Sequence, residues 1–222
     1  MKNVIFFLFM IAIGFSTASQ ASLSLDLRSE YESWNNGING RTSALLFGLG
    51  GTRSINQLWS ITGGFVMGEH DGSDERQDKL KRSDMDLAVG YHFRPNITLF
   101  AGYRLVSIDY TNRLDTDRSF EDLTHGIGVG VSTFLWVYPK THVYGRFGLS
   151  GLYSVLDSNT TGKDKGLGLS SGLEVGIIYQ FMENSNVGFS LKQQNTSIDY
   201  RGDSSKWNHN YVRLGLSLSR SF

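Results

Sequence analysis

Residues 83–93 place the tightest constraint on what this chain can fold into. The odd positions are Met85, Leu87, Val89, Tyr91 and Phe93, and the even positions are Asp84, Asp86, Ala88, Gly90 and His92. Successive side chains of a β-strand point to opposite faces. As a strand, this segment therefore has one face that is wholly apolar and one that is charged or very small. A soluble barrel turns its apolar face inward and wets the outside. A membrane barrel inverts this, with large apolar groups toward lipid and polar or small groups toward the lumen.

The pattern recurs along the chain. Leu23, Leu25, Leu27 and Tyr31 alternate with Ser24, Asp26, Arg28 and Glu30. Ile127, Val129 and Val131 alternate with Gly126, Gly128 and Gly130, and Leu173, Val175 and Ile177 with Gly172, Glu174 and Gly176. Val212, Leu214, Leu216 and Leu218 alternate with Tyr211, Arg213, Gly215 and Ser217. Similar segments lie at 44–50, 59–68, 97–105, 143–150 and 187–192, with Leu46 out of phase in the first. The expected fold is all-β: a transmembrane antiparallel up-and-down β-barrel of ten strands, with eight as the alternative count because single membrane strands carry weak signals.

The connections support that topology. Short ones fall at Thr52–Gln57, Arg94–Asn96, Val137–Thr141 and Met182–Ser185. Longer polar ones fall at Ser33–Thr42, Glu69–Arg82, Thr111–Asp122, Ser154–Lys165 and Asn195–Asn208. Strict alternation of short and long connections matches periplasmic turns and extracellular loops. An even strand number then puts both ends of the barrel domain on the periplasmic side.

Upstream of the alternating region, Lys2 precedes an uncharged apolar stretch from Val4 to Phe15 and then Ser16-Thr17-Ala18-Ser19-Gln20-Ala21. That order reads as a secretory signal peptide over residues 1–21, cleaved after Ala21, with the barrel domain over 22–222. The apolar core is too short for a membrane-spanning helix, which takes about 20 residues. Cysteine is absent, which excludes disulfides, thiolate chemistry and a lipoprotein anchor. Acidic and basic residues number 21 each, so there is no basic excess of the kind a nucleic-acid binder needs.

Aromatics mark the expected interfaces. Trp59, Tyr91, Phe93, Tyr179, Phe181 and Phe222 fall at periplasmic strand ends on the apolar face, where girdles sit at headgroup level. The final stretch, Tyr211-Val-Arg-Leu-Gly-Leu-Ser-Leu-Ser-Arg-Ser-Phe222, resembles the C-terminal assembly signal of the small outer-membrane β-barrels of Gram-negative bacteria, the porin-like and OmpA-like class. Residues 90–104 are similar to hairpins of the same class. The resemblance implies residence in the cell outer membrane, contact with lipid and lipopolysaccharide, and recognition by the barrel-assembly machinery. In that reading Tyr211, Gly215, Leu218 and Phe222 belong to the assembly signal. Arg220 departs from the apolar or aromatic residue usual two places before the end.

Strand parity sends Asp26, Glu30, Asp84, Asp86 and Glu174 inward together with Arg28, Arg104, Arg146, Lys192 and Arg213. Isolated buried charge is costly, so these groups are expected to pair and fill the lumen. If Phe93 faces Ile97 across the shortest turn, Asp86 lies opposite Arg104, Gly90 opposite Phe100 and Ala88 opposite Gly102. The same logic across Met182–Ser185 sets Glu174 opposite Lys192.

Chemistry-bearing motifs are sparse. The omptin proteases resemble this chain in strand count, and set an Asp pair across the lumen mouth from an Asp-His pair. Asp84 and Asp86 offer the first pair, but no Asp-x-His occurs. Outer-membrane lipid hydrolases carry a lipid-facing His-x-Ser, whereas His125 precedes Gly126-Ile127. The acidic run Glu69–Glu75 lacks a calcium-loop pattern. The expectation is a monomeric, non-enzymatic barrel without a cofactor, metal or nucleic-acid partner, in a membrane-structural or surface-interaction role. A narrow non-selective channel, a loop-mediated adhesin and an omptin-like protease are the alternatives.

Overall fold

A computed structural model describes residues 22–35, 41–71, 78–112, 119–160, 162–200 and 206–222. The expected signal peptide, residues 1–21, lies outside them. Ten strands are present: β1 (Leu23–Asn35), β2 (Arg41–Ser54), β3 (Trp59–Asp71), β4 (Asp78–Arg94), β5 (Ile97–Asn112), β6 (Phe120–Tyr138), β7 (Thr141–Ser158), β8 (Gly162–Met182), β9 (Ser185–Tyr200) and β10 (Lys206–Ser221). Each pairs antiparallel with its sequence neighbours, and β1 pairs with β10 to close the barrel. Closure removes the unpaired edges that lipid would not tolerate. The count of eight is set aside.

The membrane-type alternation is borne out. Leu27, Phe47, Leu49, Ile127, Val129, Leu149, Leu169 and Leu216 point outward and are each more than half exposed. Their neighbours in sequence point inward. Trp59 and Tyr91 face each other in register with ring centroids 5.0 Å apart, and Phe93, Tyr179, Phe181 and Phe222 are exposed at the same end. Both termini of the barrel and the four short turns share that end, which we call the turn end; the opposite end is the loop end.

Three of the four turns are built alike. Pro95-Asn96, Pro139-Lys140 and Glu183-Asn184 are two-residue turns, each with a register shift just before it, at His92/Arg94, Trp136/Tyr138 and Gln180/Met182. One expectation is corrected here. Ile97 pairs with Arg94, and Phe93 is the extra residue of the bulge. Beyond the bulge the register is the one the sequence implied: Gly90 faces Phe100, Ala88 faces Gly102, Asp86 faces Arg104 and Glu174 faces Lys192.

The strands run further than the alternation alone suggested. β8 has 21 residues, which at about 3.3 Å each and a tilt near 40° rises about 50 Å, twice the ~25 Å apolar band of a membrane barrel. The excess lies at the loop end, inside segments read from sequence as loops. There the alternation changes sign. Glu121, Asp157, Lys163 and Lys165 point outward, while Leu80, Ile108, Tyr110, Leu156, Ile198 and Tyr200 point inward and are buried. Above lipid, a strand meets water outside and needs an apolar core within, as a soluble barrel does.

Candidate functional site: the plug in the lumen

Two layers close the loop-end half of the lumen. The lower layer is ionic. Asp84, with its side chain 1% exposed, is surrounded by three guanidinium groups. Arg82 donates to it from Nε at 2.9 Å and Nη2 at 3.2 Å, Arg104 from Nη2 at 2.9 Å, and Arg213 from Nη2 at 2.6 Å. Glu32, fully buried, accepts from Arg82 Nη1 at 3.2 Å and from Arg213 Nε, and lies 3.0 Å from His70 Nε2. Glu30 accepts from Arg213 Nη1 at 3.1 Å. The carboxylates on β1 and β4 and the cations on β4, β5 and β10 thus tie walls that are not neighbours in the sheet.

Tyr211 stands at the centre. Its ring has the guanidinium carbons of Arg82 and Arg213 at 4.4 and 4.5 Å, and its hydroxyl accepts from Arg104 at 2.5 Å and donates to Gln194. An aromatic face beside a desolvated cation contributes about 2 kcal/mol.

The upper layer is aromatic and aliphatic. Trp34, Leu80, Ile108, Tyr110 and Tyr211 form one buried cluster, and Leu156, Ile198 and Tyr200 a second, with Phe120 packed against both. Ring contacts join paired strands and span the lumen: Tyr110 stacks on Phe120 across the β5–β6 pair at 4.9 Å, Trp34 stacks on His209 across the β1–β10 pair at 5.6 Å, and Phe120 on β6 meets Trp207 on β10 edge-on at 5.7 Å. Asp122 is buried here and accepts from Thr124 and Ser154, with Tyr200 donating at 3.3 Å. Leu46, out of phase in the sequence, is fully buried against Ala44 and Val66 on the lumen side.

Toward the turn end the lumen is wetter and lined by glycine and small polar groups. Asp86 reaches Arg104 Nε at 3.5 Å but its side chain is 52% exposed. Asp26 pairs with Arg28, and Glu174 accepts from the Tyr144 hydroxyl at 2.8 Å while facing Lys192 in register. The structure therefore brings Asp86 and Arg104 together, but gives Arg104 a closer and far better buried partner in Asp84. Of the C-terminal set, Tyr211 and Gly215 face the lumen and Leu218 and Phe222 face outward. Sequence reasoning passed over Glu32, Arg82 and Trp34, which lie in or beside segments taken as loops. For Trp34 the signal was an apolar residue at an inward position, and Glu32 and Arg82 continue the inward parity of Glu30 and Asp84 past the ends read for their strands.

Asp84 is saturated by three cations, which removes it from general-base chemistry. Among the described residues no group of three or more metal-ligating side chains gathers.

No family model matches the sequence, and no curated protein matches it. Solved structures do match in fold. The outer membrane protease OmpT from Escherichia coli aligns at a TM-score of 0.57 with 13% identity, over 93% of this chain and 98% of that one. Neisserial surface protein A aligns at 0.46 with 12% identity, over 92% and 100%. Ail, the attachment invasion locus protein of Yersinia pestis, aligns at 0.36 with 10% identity, over 90% and 98%. At such identities it is the fold alone that is shared: a closed, ten-stranded antiparallel up-and-down barrel of the architecture seen in OmpT.

Proposed function

We propose that this chain is an integral outer-membrane protein whose barrel acts as a closed, non-enzymatic support, with its turn end in the periplasm and a membrane-structural or surface-interaction role at its loop end. The observation that carries this reading is the double plug. An ionic layer built on Asp84 and an aromatic layer built on Trp34 occupy the lumen where a pore would have to pass. The polar outer faces of the strand extensions, and the loops they carry, are then the parts that reach a partner. Lipid and lipopolysaccharide surround the apolar band, the assembly machinery reads the last strand, and the barrel works as a monomer.

The protease alternative loses its base, because Asp84 is committed to three guanidinium groups and Asp86 faces no His-bearing partner in register. Conductance of the purified protein in planar bilayers tests the main reading. Electrical silence is expected. Sustained unitary steps would overturn it in favour of a narrow channel, and cleavage of basic peptides that disappears in Asp86→Ala would overturn it in favour of a protease.

A further inference from the structure

Between the two layers lies a cavity of about 30 Å³, bordered by Trp34, Arg104, Asp122, Thr124, Gln194 and His209 among others. Three buried polar atoms of residues that line it have no hydrogen-bond partner in the protein: Trp34 Nε1 and both ring nitrogens of His209. Trp34 is 1% and His209 7% exposed, so bulk water does not serve them. Leaving a buried donor or acceptor unpaired costs about 1–3 kcal/mol each. A cavity needs at least about 10–15 Å³ of such space to hold a water, and the water needs two to four polar partners.

We infer that this cavity is a binding site for ordered water, held inside the plug beside Trp34 and His209. The chemistry of the wall selects the occupant. Trp34 Nε1 only donates, so the ligand must accept. A neutral His209 offers one donor and one acceptor, so the ligand must also donate. An anion meets the first requirement and fails the second, and it would sit beside the carboxylate of Asp122. Water meets both. Water there lets an indole and an imidazole be stacked inside the barrel without a direct protein partner for their nitrogens.

The test is made on the full-length barrel in lipid nanodiscs and in crystals. Trp34→Phe identifies the Trp34 indole proton in the spectrum. In the wild-type protein that proton is expected to show a cross-peak to water with the sign of a long-lived bound molecule. High-resolution density is expected to show an ordered water within 3.2 Å or so of Trp34 Nε1. His209→Phe keeps the ring stack, removes both nitrogens and is expected to lose ordered water there. No cross-peak at Trp34, a dry or collapsed cavity, or an anomalous signal in the cavity from crystals grown in bromide would each overturn the inference.

Discussion

Asp84 on β4 and Arg213 on β10 meet across the barrel interior at 2.6 Å, although β1, β2 and β3 separate their strands around the wall. A contact of that reach is a strut. Arg82 and Arg104 complete the shell around the same carboxylate, so Asp84 is, among the described residues, the carboxylate that all three cations share.

Replacing Asp84 by Asn should therefore leave buried positive charge uncompensated and cost about 3–5 kcal/mol. Asp86→Asn, at a half-exposed site two residues along the same face, should cost under about 1 kcal/mol because water screens it. Denaturant-induced unfolding from lipid vesicles measures both. Equal losses would contradict the division of labour between the two carboxylates.

Gly130 and Gly148 face each other in register beneath Phe100, yet they differ in the space they have. A Cβ on Gly130 would lie 2.3 Å from Phe100 Cζ and 2.3 Å from the Phe147 carbonyl oxygen, whereas on Gly148 the nearest atom is 3.6 Å away. Gly130→Ala should lower stability by about 1–3 kcal/mol through overpacking. Gly148→Ala should stay near wild type. The gel-shift midpoint on heating compares them, and a tolerated Gly130→Ala would show that the wall yields there.

Phe222 closes the seam with its backbone as well as covering lipid with its ring. Its N–H donates to Leu23 O at 2.8 Å and its carbonyl accepts from Leu23 N at 3.3 Å. Deleting Phe222 should remove both bonds and the last outward aromatic, and the yield of folded barrel in cells should fall several-fold. Normal yield would separate this residue from assembly.

The protein should partition with outer membranes, resist carbonate extraction and migrate differently on gels before and after boiling. Recovery in the soluble periplasmic fraction would contradict the lipid-facing assignment of Leu49, Ile127 and Leu169.

The sequence made the lipid-facing half of each strand legible, because lipid enforces one polarity of alternation without exception at Met85, Leu87 and Val89. It made the Asp86–Arg104 register legible because the turn at Pro95-Asn96 leaves few ways to pair. It hid the plug. Trp34, Tyr110, Ile198 and Tyr200 sit among polar residues that read as loops, since the alternation there obeys water rather than lipid. It also hid which carboxylate matters: parity places Asp84 and Asp86 on one face alike, and only the convergence of β5 and β10 side chains on Asp84 tells them apart.

The repeated bulged turns bear on the order in which the barrel is made. β4–β5, β6–β7 and β8–β9 are hairpins whose pairings are all local in sequence and whose register is set at one end by a compact turn. Local pairings form quickly, and loop-closure entropy delays distant ones. The seam joins Ser24 to Ser221, the opposite extreme of contact order. Hairpins zipped from their turns and a final closure at β1–β10 are the kinetic consequence. The struts from Arg213 to Glu30 and Glu32 then lock the chain's last strand to its first.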